Sequence, residues 1–87
     1  MKILFTPHGL EDYRYWKEHD SAKTGRIKKL LEAISNEPFS GIGKPEPLLF
    51  DLSGYWSRRI DREHKLVYKI SEDSIIVISC RYHYKKE

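Results

Sequence analysis

Apolar positions along the chain recur first at the spacing of a helix and later at the spacing of a strand. Ile3 to Phe5 form a short apolar run that stops at Thr6-Pro7. Thr at an N-cap with Pro at the first helical position is a start signal, because the amide that Pro lacks would be unsatisfied there anyway. The spacing then predicts a helix with Leu10, Tyr13, Trp16 and Lys17 on one stripe and Glu11, Asp12, Arg14 and Glu18 largely outside it, ending near His19-Asp20. Gly9 weakens its first turn. Ser21 is placed to cap a second helix, in which Ile27, Leu30, Leu31 and Ile34 repeat at i, i+3, i+4 and i+7 before Asn36 and Pro38 stop it. Phe39 to Pro47 holds Gly41, Gly43, Pro45 and Pro47 and reads as a loop. Beyond it the period falls to two. Strand-like runs occupy Leu48 to Asp51, Tyr55 to Asp61, Lys65 to Ser71 and Ile75 to Tyr84. The expected fold is α+β: an N-terminal strand, a helical hairpin, then a four-stranded antiparallel meander with both helices on one face of the sheet.

Successive side chains of a strand point to opposite faces, so residue parity sorts them. The even set (Trp56, Ile60, Leu66, Tyr68, Ile70, Ile76, Ile78, Cys80, Tyr82) is mostly apolar and suits the helix-covered face, with Arg58 as a misfit. If the turns at Arg62 to His64 and Glu72 to Ser74 each hold three residues, odd positions stay opposite odd, and Arg59, Lys65, Arg81 and His83 converge on the other face. Two-residue turns would scatter them. The plain alternative is that this is the solvated side of an antiparallel sheet, which normally carries Lys, Arg and Ser.

The chain has 87 residues, 39% of them apolar and 33% charged, which fits one compact domain spanning residues 1–87. No apolar run approaches the ~18 residues of a membrane span, and Met1 to Phe5 runs into Pro7 without a signal-peptide core, so the expectation is a soluble, cytoplasmic protein with no membrane partner. Cys80 is the one cysteine, which excludes an internal disulfide and a multi-thiolate zinc site. The net charge of +3 says little, but its distribution says more. Between Ser53 and Ile70, Arg58, Arg59, Arg62, Lys65 and Lys69 face Asp61 and Glu63, interleaved with Tyr55, Trp56 and Tyr68, a mixture suited to phosphates and stacked bases.

RNA carries its own nucleophile, the 2′-hydroxyl. Cleaving it without a metal requires a base on that hydroxyl, cations for the phosphate and an acid for the departing 5′-oxygen. Glu46, the cations Arg59, Lys65 and Arg81, and His83 meet those needs with no cofactor. Glu46 lies between Pro45 and Pro47, which stiffen its segment; the plain alternative is an ordinary loop carboxylate. His8, His19 and His64 show no metal-binding spacing and are expected at the surface. Nothing resembles a serine-hydrolase motif. The same basic, aromatic surface also suits a binding module for RNA or an acidic peptide, or a face that exists to dock an acidic partner helix.

Four ordered blocks carry a further signal: Gly41-Ile42-Gly43-Lys44-Pro45-Glu46-Pro47-Leu48, Leu52-Ser53-Gly54-Tyr55-Trp56-Ser57-Arg58-Arg59-Ile60, Glu63-His64-Lys65-Leu66-Val67-Tyr68, and Cys80-Arg81-Tyr82-His83-Tyr84. With Asp12-Tyr13 and Tyr15-Trp16 they closely resemble the YoeB/Txe toxins of the RelE superfamily, from Met1 to Tyr84. The resemblance implies a microbial-ribonuclease-like fold and a toxin that enters the ribosomal A site, cleaves mRNA there and stops translation. It implies a YefM/Phd-type antitoxin as partner, and relatives suggest a homodimer. Position by position it makes Glu46 the general base, His83 the general acid, Arg59 and Lys65 the phosphate-binding cations and Tyr84 a contributor to substrate placement. Lys44, Arg58 and Arg81 are the expected substrate-binding cations. Two departures stand out. Lys65 occupies a position where the family usually has arginine, keeping the charge but losing the planar fork. Lys85-Lys86-Glu87 continue past the tyrosine at which the family commonly ends, either as added phosphate contacts or as a tail without consequence.

Overall fold

The computed structural model describes residues 1–82. Strand β1 (Lys2–Phe5) leads into helix α1 (Pro7–His19), capped as the sequence predicts: Thr6 Oγ1 accepts the Gly9 amide at 3.1 Å, with Pro7 in the first turn. Helix α2 (Ser21–Asn36) is capped by Asp20 rather than Ser21. The Asp20 carboxylate accepts both the Ala22 and Lys23 amides, which a single hydroxyl one residue later does not match. The Asp20 amide also closes α1 on the Trp16 carbonyl, so one residue ends one helix and begins the next. Ile27, Leu30, Leu31 and Ile34 are buried as their spacing requires. In α1, Trp16 is buried and Tyr13 half-buried, whereas Lys17 is exposed and Asp12, expected on the wet side, is buried.

Gly9 does more than weaken a helix turn. A β-carbon there would sit 2.4 Å from the Val77 carbonyl oxygen, so the missing side chain is what lets α1 approach the sheet.

Among the described residues the sheet has five strands, in the order β1-β5-β4-β3-β2. Strands β2 (Glu46–Pro47), β3 (Trp56–Arg59), β4 (Lys65–Ser71) and β5 (Ser74–Ser79) form the expected antiparallel meander, and β1 adds to β5 in parallel. The strand expected over Leu48 to Asp51 is replaced by the two-residue β2 just before it and one 3₁₀ turn, η1 (Phe50–Leu52). The Leu48 amide bonds the Tyr55 carbonyl and the intervening turn-forming residues, Asp51, Ser53 and Gly54, close the hairpin early. The last strand ends at Ser79, short of the expected Tyr84; His83 and Tyr84 lie outside the described residues.

Parity holds between β3 and β4, where Trp56 faces Tyr68 and Arg59 faces Lys65. It fails at the next turn. Ser71 pairs with Ser74, so Glu72-Asp73 is a two-residue turn with Glu72 at φ 54, and Tyr68 comes to face Val77. Odd-numbered Ile75 and Val77 therefore enter the core, while Ile76 and Ile78 do not. A register shift then restores the expected phase: Val67 faces Ser79, leaving Ile78 as the extra residue, and Cys80 is buried. The helix-covered face thus carries Ile60, Leu66, Tyr68, Ile75, Val77 and Cys80, packed with Trp16 and the apolar stripe of α2.

Candidate active site

The open face of the sheet is assembled by register. Glu46 lies opposite Ser57, Ser57 opposite Val67, and Val67 opposite Ser79, so these four form one cross-strand row on the face away from the helices. Arg59 and Lys65, paired with each other, make the next row, about 7 Å along the strands. Glu46 and Arg59 are diagonal neighbours on adjacent strands, a separation of about 7–8 Å that long side chains span readily. Ser57 and Val67 form a buried floor, with Glu46 and Arg59 exposed and Lys65 half-buried around it. Glu46 therefore sits on a paired edge strand, not in a free loop, and Pro47 is tolerated there because an edge strand need not donate outward.

The backbone of Arg59 is fixed at both polar groups. Its amide donates to the Gly43 carbonyl at 2.6 Å and its carbonyl accepts from Arg26 Nη2 at 3.1 Å. Gly43 fits this crossing only without a side chain: it has φ 85, and a β-carbon would lie 2.7 Å from Leu30 Cδ2. Lys44 follows at φ 54, exposed, so the expected auxiliary cation flanks Arg59 in the chain trace.

Arg58 and Arg81 do not belong to this face. Arg58, expected to bind substrate, is 0% exposed on the helix side of the sheet. Its Nη2 donates to the Glu37 carbonyl (2.6 Å) and the Ser40 carbonyl (2.8 Å), Nη1 to the Ile42 carbonyl (3.0 Å), and Nε to the Tyr68 hydroxyl (3.2 Å). That hydroxyl in turn donates to the Pro38 carbonyl at 2.8 Å. The misfit in the even set is thus a fastener: an Arg–Tyr pair satisfies four carbonyls of the loop that leads to Lys44 and Glu46. Arg81, expected beside Arg59 and Lys65, instead stacks its guanidinium 3.6 Å from the centre of the Tyr15 ring on α1.

The segment that leads to His83 is held residue by residue. The Cys80 amide donates to Asp12 Oδ2 (3.0 Å), and the Cys80 carbonyl accepts from Trp16 Nε1 (2.8 Å). The Tyr82 amide donates to His64 Nδ1 (2.7 Å), and the Tyr82 carbonyl accepts from the Lys65 amide (3.1 Å). His8 and His19 are exposed as expected, but His64 is 7% exposed and lies edge-on to Trp16. Asp12, Trp16 and His64 are the residues whose part in shaping this end of the sheet the sequence reading missed. The available signal was an acid next to an apolar helical stripe, and a histidine directly preceding a strand. His83 and Tyr84 themselves fall outside the described residues.

Among the displaced titratable groups, Cys80 and Asp61 bear on this end of the sheet. Burial, reinforced by the Asp12 charge, pushes the Cys80 thiol up to about 12, which makes it a neutral core group. At Asp61, burial works against the charged form but is outweighed by the Lys23 hydrogen bond and the Glu63 and His64 amides, which hold the carboxyl down at about 2. Asp61 thereby fixes the loop between Arg59 and Lys65.

Comparison with known proteins places this geometry. Residues 5–84 match the family described as YoeB-like toxin of bacterial type II toxin-antitoxin system. The chain belongs to that family. Toxin YoeB of Streptomyces coelicolor is 56% identical over 84 residues, covering 97% of this chain and all of the relative. The YoeB dimer from Staphylococcus aureus superposes with a TM-score of 0.91 at 44% identity, and YoeB in the heterotetrameric YoeB-YefM toxin-antitoxin complex of the same organism with 0.90 at 44%. Each covers 97% of this chain and 98% of the solved one. The protein is thus a YoeB-like toxin of a toxin–antitoxin system with the α+β fold expected from its sequence, and no helix among its described residues is long and apolar enough to cross a membrane.

Proposed function

We propose that this YoeB-like toxin is a ribosome-dependent endoribonuclease that cleaves mRNA in the ribosomal A site without a metal ion and so stops translation in the cytoplasm. Glu46 removes the proton from a 2′-hydroxyl, and the resulting oxygen attacks the adjacent phosphorus. The bond to the 5′-oxygen breaks as His83 donates a proton to it, leaving a 2′,3′-cyclic phosphate and a 5′-hydroxyl. Arg59 and Lys65 offset the charge that builds on the phosphate oxygens, Lys44 adds to the positive field beside the base, and Tyr84 helps place the substrate. The observation that carries this reading is that Glu46 shares one face of the sheet with Arg59 and Lys65, one row and one strand from Arg59. A 7–8 Å diagonal leaves room for a phosphate between carboxylate and cation.

By the same likeness, a YefM-type antitoxin is the partner of this toxin, as YefM is of YoeB in the S. aureus complex, and the toxin pairs with itself as the S. aureus YoeB dimer does. The test is primer extension on ribosomes stalled with a defined A-site codon. The parental protein is expected to cut within that codon, and Glu46→Ala and His83→Ala are expected to lose cleavage while keeping parental circular dichroism. Parental-rate cleavage by the double variant refutes the assignment, and growth arrest with intact transcripts would make the protein a translation blocker instead.

A further inference from the structure

We propose that Lys69, held over the ring of Tyr55, is a second phosphate-binding position on the open face of the sheet, taking a phosphate of the RNA strand beyond the one at Arg59 and Lys65. The inference rests on the nuclease reading above. Lys65, Val67 and Lys69 alternate along β4 and so share that face, which puts Lys69 about 14 Å along the strand from Lys65. Lys69 pairs with Ile76, and Ile76 with Leu4, in the row beyond that of Glu46, Ser57, Val67 and Ser79. One row further stand Ser71, Ser74 and Lys2. Among the described strand residues of this face the cations are Lys2, Arg59, Lys65 and Lys69, and the one acid is Glu46. The strip of positive charge runs along β4 and stops at the exposed Glu72-Asp73 turn.

Lys69 is half-buried, yet among the described residues no carboxylate lies within ion-pair distance of it. Its Nζ lies instead 5.2 Å from the centre of the Tyr55 ring. A ring face attracts an ammonium without neutralising it, so the charge is positioned with its net sign intact. Tyr55 is fixed in turn by its backbone, whose amide donates to the Leu52 carbonyl and whose carbonyl accepts the Leu48 amide, both at 2.9 Å. These bonds close the hairpin that carries Glu46, so the proposed base and the second cation are held by one element. An acidic peptide would be drawn to the same charge. RNA is favoured because Lys69 continues the line of Arg59 and Lys65, and a nucleic-acid strand carries its charges at regular intervals. A lysine that only covers Ile76 with its methylene stem would leave RNA affinity untouched.

The test measures binding of a short 2′-O-methyl RNA oligonucleotide, which lacks the nucleophile and so reports binding apart from cleavage. Affinity is followed by fluorescence anisotropy across a salt series. Lys69→Gln is expected to lower the slope of log affinity against log salt by about 0.7, one phosphate contact on a single strand, and to weaken binding about fourfold at 0.15 M salt. Lys69→Met, equally long and uncharged, should match it and decides if Lys69→Gln fails to fold. Lys69→Arg should keep the parental slope. Tyr55→Leu should weaken binding about twofold, whereas Tyr55→Phe, which keeps the ring, should not. In single-codon cleavage on ribosomes Lys69→Gln should raise KM about fourfold and leave kcat unchanged. An unchanged slope in the uncharged variants, or a lowered one in Lys69→Arg, overturns the proposal. So does parental RNA binding by Lys69→Gln with lost binding of a poly-glutamate peptide, which would make this face a peptide dock. A parental chain that binds the oligonucleotide but cleaves nothing on ribosomes overturns the nuclease reading, and the salt slopes still decide whether Lys69 holds a phosphate.

Discussion

Replacing Arg58 by lysine keeps the charge and removes the fork, which separates a substrate-binding cation from a loop fastener. Arg58 makes four hydrogen bonds, three of them to the carbonyls of Glu37, Ser40 and Ile42 and one to Tyr68, in directions set by a planar group. One ammonium nitrogen cannot stand in for Nε, Nη1 and Nη2 together, so at least two of the four bonds are lost. At about 1.5 kcal/mol net for each bond to a charged group, the cost is about 3 kcal/mol. A domain of this size has about 4–13 kcal/mol in all, and the loss corresponds to a fall in Tm of about 12–24 °C. Urea unfolding followed by tryptophan fluorescence gives the number directly: the midpoint should drop with the m-value unchanged. An Arg58→Lys variant within about 0.5 kcal/mol of the parent would show that the carbonyl cage contributes little and return Arg58 to the candidate substrate contacts.

Four further outcomes follow from the same geometry. Gly9→Ala should destabilise by about 1–2 kcal/mol in urea unfolding, because a methyl group 2.4 Å from the Val77 oxygen outweighs the roughly 1 kcal/mol that alanine gains in an open helix. The Asp61 carboxyl titrates from 3.8 unfolded to about 2 folded, so its contribution is present above pH 4 and is lost as pH falls through 2; the Tm gap between the parent and Asp61→Asn should close over that window. Cys80, buried with its thiol at about 12, should react with a disulfide reagent at pH 8 only as fast as the protein opens, and fast labelling of the native protein would contradict its placement. Lys65→Arg should raise cleavage by about tenfold if a second, in-plane hydrogen bond reaches the phosphate; an unchanged rate would mean that charge alone suffices there.

The helices were legible because their signals are local: Thr6-Pro7 starts one, and Ile27, Leu30, Leu31 and Ile34 give the other its buried stripe. The error at the second cap came from weighing Ser21 by residue type, when the Asp20 carboxylate one position earlier could reach two amides. The sheet was legible in order but not in phase. Parity assumes uniform pairing, and a two-residue turn at Glu72-Asp73 together with an extra residue at Ile78 shifts β5 out of phase and back, which no local pattern reveals. Arg59 and Lys65 were grouped correctly because β3 and β4 pair without a shift between them, whereas Glu46, expected in a loop, reaches their face through the short β2 that no pattern in the sequence marked. Arg81 and His64 were misplaced, and Arg58, set on the helix-covered face by its parity, was given a substrate contact that its burial does not fit, for a common reason: each finds partners far away in sequence, on α1, at Tyr82 and in the 37–42 loop respectively.

Strand β5 is the last of the described strands to leave the ribosome, yet it lies inside the sheet with β1 and β4 on its two sides. During synthesis, β1 has no strand to pair with until some seventy more residues have been added, and Asp12 and Trp16 have no Cys80 to grip. Each of these pairings closes a loop nearly as long as the chain, which makes late, cooperative folding the expectation. A nascent protein built this way stays incomplete until β5 has emerged.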